Sequence, residues 1–93
     1  MEANLKKIAN HYGFSNQLQM LVEEMAELTQ AICKYRRYEN AKEQVNTFEN
    51  LIEEVADVQI VLSQIKILVG ENEVNKKIDE KVNRQLERMK KGE

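Results

Sequence analysis

Residues 47–70 read TFENLIEEVADVQIVLSQIKILVG, and the period of their apolar positions decides the fold. Phe48, Leu51, Ile52 and Val55 recur at the three- and four-residue spacing that lines one face of an α-helix. Thr47 stands where it would cap that helix, and Gly70 where it would end it. Between them, Val58, Ile60, Val61, Leu62, Ile65, Ile67, Leu68 and Val69 occupy almost every side. A helix that is apolar all round must be covered all round. The Val58–Val69 segment is therefore expected at an interface between copies of the chain; the alternative is a central helix wrapped tightly by its own chain.

The same stretch carries Glu53-Glu54-Val-Ala-Asp57. Asp57 follows Glu54 by three residues and Glu53 by four, so the carboxylates share one helix face, where like charges repel. Upstream, Glu23-Glu24-Met-Ala-Glu27 repeats the arrangement inside a second apolar stripe formed by Leu18, Leu21, Val22, Met25, Leu28 and Ile32. Ser15 is a plausible cap for that helix, which is predicted to run to about Arg37. A short first helix is predicted from Leu5, Ile8, Ala9 and Tyr12, ending at Gly13. A fourth follows from Val74, Ile78, Val82, Leu86 and Met89, with Asn72 as its cap. The basic tail over about 89–93 is expected to fray. Periodicity fails over Tyr38–Asn46, which reads as a polar connector or, alternatively, a lid.

Composition sets the outer bounds. A chain of 93 residues is one domain, and a single copy of that size is marginally stable. It contains no proline and three glycines, a balance that points to an all-α fold. A net charge of −2 offers no basic excess for nucleic acid. The single Cys33 excludes an intrachain disulfide and a cysteine-rich zinc site. No signal-peptide pattern opens the chain, and Gln59, Gln64 and Lys66 interrupt the most apolar stretch, so a cytoplasmic protein without a membrane span is expected.

If the two acidic helices pack antiparallel, Glu24, Glu27, Glu54 and Asp57 can face one another across the seam, as ligands do in helix-bundle metal sites. An all-oxygen donor set suits Mg²⁺ or Mn²⁺ better than Zn²⁺. Asp57 is the sharpest member, because Asp disfavours a helix interior and the chain holds only one other, Asp79. Its short side chain suggests that reach matters there; the alternative is an acid merely tolerated on the surface. Glu23 and Glu53 read either as supporting groups or as ordinary solvated glutamates.

The paired motifs and their flanks resemble the MazG-like all-α nucleoside triphosphate pyrophosphohydrolases. The resemblance rests on His11-Tyr12-Gly13-Phe14 with Gln17-Leu18, on Glu23-Glu24-Met-Ala-Glu27-Leu28 continuing to Lys34, on Glu53-Glu54-Val-Ala-Asp57-Val58, and on Lys81-x-x-Arg84. It spans about residues 10–88. It implies a four-helix bundle that forms an intertwined dimer or a dimer-based tetramer. It implies Mg²⁺-dependent hydrolysis between the α and β phosphates, giving a nucleoside monophosphate and pyrophosphate, in a nucleotide-pool housekeeping role. Glu24, Glu27, Glu54 and Asp57 would hold the metal, with Glu23 and Glu53 in support and Glu27 or Glu53 accepting the proton of the attacking water. Lys81, Arg84 and Lys34 would meet the phosphates, and Gln17 with His11 would meet the base. Arg37 and Arg88 are read as solvated, and Tyr12 and Phe14 as core residues more than stacking platforms.

Two other readings remain open. One is phosphoribosyl-ATP pyrophosphohydrolase of histidine biosynthesis, which has comparable acidic motifs but an aromatic-His pair where this chain continues Val58-Gln59-Ile60-Val61. The other is a non-catalytic helical dimerisation or adaptor module.

Overall fold

The computed structural model describes residues 1–38 and 44–92. Its described residues form helices and turns with no strand. In chain order the helices are α1 (Glu2–Tyr12), α2 (Phe14–Arg37), α3 (Gln44–Val69) and α4 (Glu71–Lys90). The fold is all-α, as composition and periodicity predict.

The helix junctions are tighter than expected. Gly13 and Gly70 each separate two helices alone, with φ of 84° and 122°. Those left-handed values are open to glycine and strained for other residues. The chain can therefore turn within one residue, and the caps expected at Ser15 and Asn72 lie inside α2 and α4. Thr47 also lies inside its helix, with its hydroxyl donating to the Gln44 carbonyl at 3.0 Å. α3 thus begins earlier in the chain than a cap at Thr47 would dictate. The connector, or alternatively lid, read over Tyr38–Asn46 falls largely on residues 39–43, outside the described residues, and residues 44–46 are already helical. At the tail, α4 persists to Lys90 and a turn covers Lys91 and Gly92.

α2 and α3 form an antiparallel hairpin. Tyr35, near the end of α2, meets Phe48, near the start of α3, with ring centroids 5.7 Å apart. α1 packs on both helices, and α4 touches α3 alone. The apolar core is small: Ala9, Ala31, Val58 and Val61 are buried. Gln17 and Gln64 are buried among them.

The Val58–Val69 segment is the part of the chain most covered by its own neighbours, because α1, α2 and α4 all meet on α3. Val58, Val61 and Gln64 are buried and residues 65–68 half-buried, while Ile60, Leu62 and Val69 remain exposed. The exposed apolar surface lies mostly elsewhere: Leu18, Val22, Met25 and Ile32 on α2, Phe48, Ile52 and Val55 on α3, and Ile78, Val82, Leu86 and Met89 on α4.

The hairpin has two unlike sides. Helical spacing puts Leu18, Val22, Met25 and Ile32 along one edge of α2, and Phe48, Ile52, Val55 and Leu62 along one edge of α3. In an antiparallel pair facing across their cores, these edges turn to the same side and form one apolar face. Glu23 and Glu27, with Glu53 and Asp57, turn to the other side.

Candidate metal centre

The two acidic motifs meet at the middle of this hairpin. Carboxylate oxygens of Glu24 and Glu27 on α2 and Glu54 on α3 all lie within 4.8 Å of one another. Their convergence follows from the local sequence. Leu21 and Leu28 flank Glu24 on the α3-facing stripe, and Leu51 and Val58 flank Glu54 on the α2-facing stripe, so burying the stripes carries the acids into the seam. Glu24 and Glu54 are half-buried and Glu27 is exposed. One oxygen each of Glu24 and Glu54 (Oε2) is closed off from solvent without a hydrogen-bond partner.

This arrangement is electrostatically unfavourable for the bare protein. Burial holds the Glu24 carboxyl above its usual range, and the charges of Glu27, Asp57, Glu54 and Glu23 push it further. Burial likewise raises Glu54, reinforced by Glu27, Asp57 and Glu53 and by a hydrogen-bond contribution from Glu27. Among the described residues every charge acting on these two groups is another carboxylate, and no lysine or arginine offsets them.

The donor set fits a hard divalent cation. Opposed oxygen ligands of Mg²⁺ stand about 4.2 Å apart, twice a ~2.1 Å bond, so oxygens within 4.8 Å need only small side-chain adjustments. A cation would also supply the partner that the two buried Oε2 atoms lack.

The other expected site residues are distributed unevenly. Asp57 lies outside the close trio, exposed, but near enough to act on both Glu24 and Glu54. Glu23 and Glu53 are exposed beside it. Lys34 continues the Glu27 edge of α2 seven residues on, about 10 Å along the axis. Lys81 and Arg84 are exposed on α4, and α4 makes no contact with α2. His11, at the end of α1, is exposed with its ring edge-on to Tyr12. Gln17 is fully buried and neither its amide nitrogen nor its oxygen has a partner, so in this conformation it presents no surface to a base.

The sequence reading passed over Tyr35. Its hydroxyl accepts a hydrogen bond from Gln44 Nε2 at 3.3 Å, and with Phe48 it lines an open apolar groove of about 490 Å³ at the end of the hairpin. The available signal was an aromatic on each flank of the polar connector.

Among known proteins, no family model matches the chain, and no curated protein or solved structure is significantly similar to it. Among the described residues, no helix is long and apolar enough to cross a membrane.

Proposed function

We propose that this chain is a divalent-metal-dependent hydrolase of the all-α nucleoside triphosphate pyrophosphohydrolase type, acting as a symmetric homodimer. The observation that carries the reading is the trio of Glu24, Glu27 and Glu54, three carboxylates held together around buried, unpartnered oxygens. Asp57, Glu23 and Glu53 surround it and deepen its negative potential.

A triphosphate cannot approach such a cluster without cations between them. Bound Mg²⁺ or Mn²⁺ would supply charge neutralisation, orientation of the α-phosphate and a more acidic water. Glu24, Glu54 and Glu27 would hold it, with Asp57 within reach as a further ligand. Glu53 is exposed and outside the trio, which leaves it free to take the proton of the attacking water. The water oxygen bonds to the α-phosphorus, and the bond from that phosphorus to the α–β bridging oxygen breaks. Pyrophosphate leaves and a nucleoside monophosphate remains. Lys34, Lys81 and Arg84 are the cations available to charge developing on the leaving group.

The dimer is supported by an excess of surface. The chain exposes 7487 Å². A compact monomer of 10.9 kDa exposes about 5,600 Å². The radius of gyration is 16.6 Å, against roughly 12 Å for a compact chain of this length. The apolar side of the hairpin and the apolar stripe of α4 supply the area that a second copy would cover.

A screen of canonical and modified nucleoside triphosphates with Mg²⁺ tests the reaction. Monophosphate and pyrophosphate are the expected products. Orthophosphate release would refute the bond assignment, and no turnover of any triphosphate would refute the activity.

A further inference from the structure

We infer that α1 is a hinged end wall of the acidic side of the hairpin. It swings about Gly13 as a unit, uncovering Gln17 and Gln64 while α2 and α3 stay folded. The inference goes beyond the proposed reaction and does not depend on it.

Two buried amides lie beneath α1. Gln17 is 0% exposed and Gln64 is 3% exposed. The hairpin register sets them at one level: Glu27 meets Glu54, so ten residues back along α2 and ten on along α3 bring Gln17 opposite Gln64. A seam between two helices is open to solvent on both flanks, so full burial of Gln17 requires a third wall. α1 is the helix that packs on both α2 and α3. Gln64 gives the side. Gln59, Leu62, Ser63 and Lys66 line a groove with Val74 and Ile78 of α4. Helical spacing turns Gln64 about 150° from the centre of that edge, toward the side of Glu53 and Asp57. α1 therefore closes the acidic side at this end of the hairpin.

Little holds α1 in place. Ala9 is its one buried residue and Leu5 is half-buried; the rest, Ile8 and Tyr12 among them, are exposed. Burying a methyl side chain contributes far less than burying a leucine. Among the described residues no salt bridge joins α1 to another helix. The one side-chain hydrogen bond between them there, from Asn16 Nδ2 to the Tyr12 carbonyl at 2.8 Å, spans the junction itself. Glu2, Ala3 and Lys6 stand across an open groove of about 500 Å³ from Ile67 and Glu71, so the first turns of α1 are loosely seated.

The closed position also carries a cost. Neither polar atom of the Gln17 amide has a partner, and opening returns both to water. Gly13 is the whole connection between α1 and α2, and a Cβ added there would meet no atom within 4 Å. Rotation at that residue moves α1 without disturbing α2. Opening then lengthens the acidic side. Gln17 precedes Glu24 by seven residues and Gln64 follows Asp57 by seven, each about 10 Å along its helix. The open form joins carboxylates and amides in one trough, which the closed form ends at α1.

Native-state hydrogen exchange of the unmodified chain, read by peptide mass spectrometry across a urea series, tests the hinge. An undocked helix of 11 residues is too short to persist in water. Amides of α1 should therefore exchange at least about tenfold faster than those of residues 24–31 and 54–61, with little urea dependence below the main transition. Exchange of α1 only together with the hairpin, at the same urea slope, would overturn the inference. A thiol reads the uncovering. In a Cys33→Ser background, Gln64→Cys should react with an aromatic disulfide reagent in step with α1 exchange. A thiol protected until global unfolding would overturn the inference, because α1 would then fray without opening the seam. Ala9→Cys is read in the same way where Gln64→Cys does not fold. Neither readout involves metal or triphosphate. An inactive chain whose α1 opens refutes the hydrolase alone, and an active chain whose α1 stays fixed refutes the hinge alone.

Discussion

Placing a charge on the apolar side of the hairpin should separate the copies. Val22 is the sharpest position, at 62% exposed on α2 and flanked by exposed Leu18 and Met25. Burying a valine side chain fully is worth about 1.5–3 kcal/mol, so covering the exposed part of Val22 contributes roughly 1–2 kcal/mol. A two-fold dimer contains the position twice, so Val22→Asp forfeits about 2–4 kcal/mol before any cost of burying the new charge. That is a weakening of association by at least roughly 30- to 700-fold. The chain's area excess of about 1,900 Å² over a compact monomer sets the scale of the whole interface. Two copies hiding it would bury about 3,800 Å², inside the range of obligate dimers.

Sedimentation equilibrium over a wide concentration range reads the change. Wild type should be dimeric at the lowest measurable concentration, Val22→Ala weakened in the same direction by less, and Val22→Asp largely monomeric. Asn10→Asp, a charge added at an exposed position on α1, is the control and should leave association unchanged. A monomeric wild type at high concentration would refute the reasoning. So would a Val22→Asp dissociation constant equal to that of the control.

Other consequences follow from the seam and the junctions. Mg²⁺ or Mn²⁺ at a hundred times its dissociation constant should add about 2.7 kcal/mol, raising Tm by roughly 10–20 °C for a chain of this size; Glu24→Gln and Glu54→Gln should lose most of that shift in a thermal melt, and an unshifted wild type would dismiss the metal. In metal-free buffer the folded carboxyls of Glu24 and Glu54 hold their protons above the ordinary value of 4.5. Their protonation therefore stabilises the fold fully below about pH 4.5, and that contribution fades as pH rises through the raised folded values. The stability difference between wild type and Glu54→Gln should shift against wild type over that window, and a pH-independent difference in urea titrations would contradict it. Gln17→Met replaces a buried amide with no partner by an apolar side chain of similar length, and should stabilise by about 1–3 kcal/mol in urea unfolding; a loss of stability would show that the amide is satisfied in solution. Gly13→Ala meets no atom within 4 Å of its new Cβ. Its φ of 84° and ψ of 165° belong to glycine, so backbone strain alone should cost about 1–3 kcal/mol, with unchanged helicity.

The helices were legible because each carries an amphipathic stripe long enough to override local ambiguity. Their junctions were not, because Gly13 and Gly70 act both as the end of one helix and the start of the next, leaving Ser15 and Asn72 nothing to cap. The meeting of Glu24 with Glu54 was readable from two acids placed inside two buried stripes. That Asp57 would stand back from the trio was not, since helical spacing fixes a direction and says nothing of side-chain reach. Val58–Val69 was readable as needing cover on all sides, but periodicity could not choose between a second copy and the chain's own helices, and α1, α2 and α4 supply part of that cover while Ile60, Leu62 and Val69 stay exposed. Gln17 looked like a base-reading group beside a motif and is instead sealed in the core, because it shares the α3-facing stripe with Leu21, Glu24, Leu28 and Ala31.

One property of the hairpin links these features. An antiparallel pair of amphipathic helices has a seam and two outer sides, and this sequence assigns them differently: acids to one side, aliphatic side chains to the other, and Glu24 and Glu54 to the seam. The acidic side repels a second copy of itself and the apolar side attracts one, so the same patterning that concentrates carboxylates also fixes which side is left for pairing. α4 departs on that apolar side, where Val74 and Ile78 line a groove with Gln59 and Leu62. A substitution such as Val22→Asp, on the opposite side of the hairpin from Glu27, should therefore weaken dimerisation without touching the carboxylates.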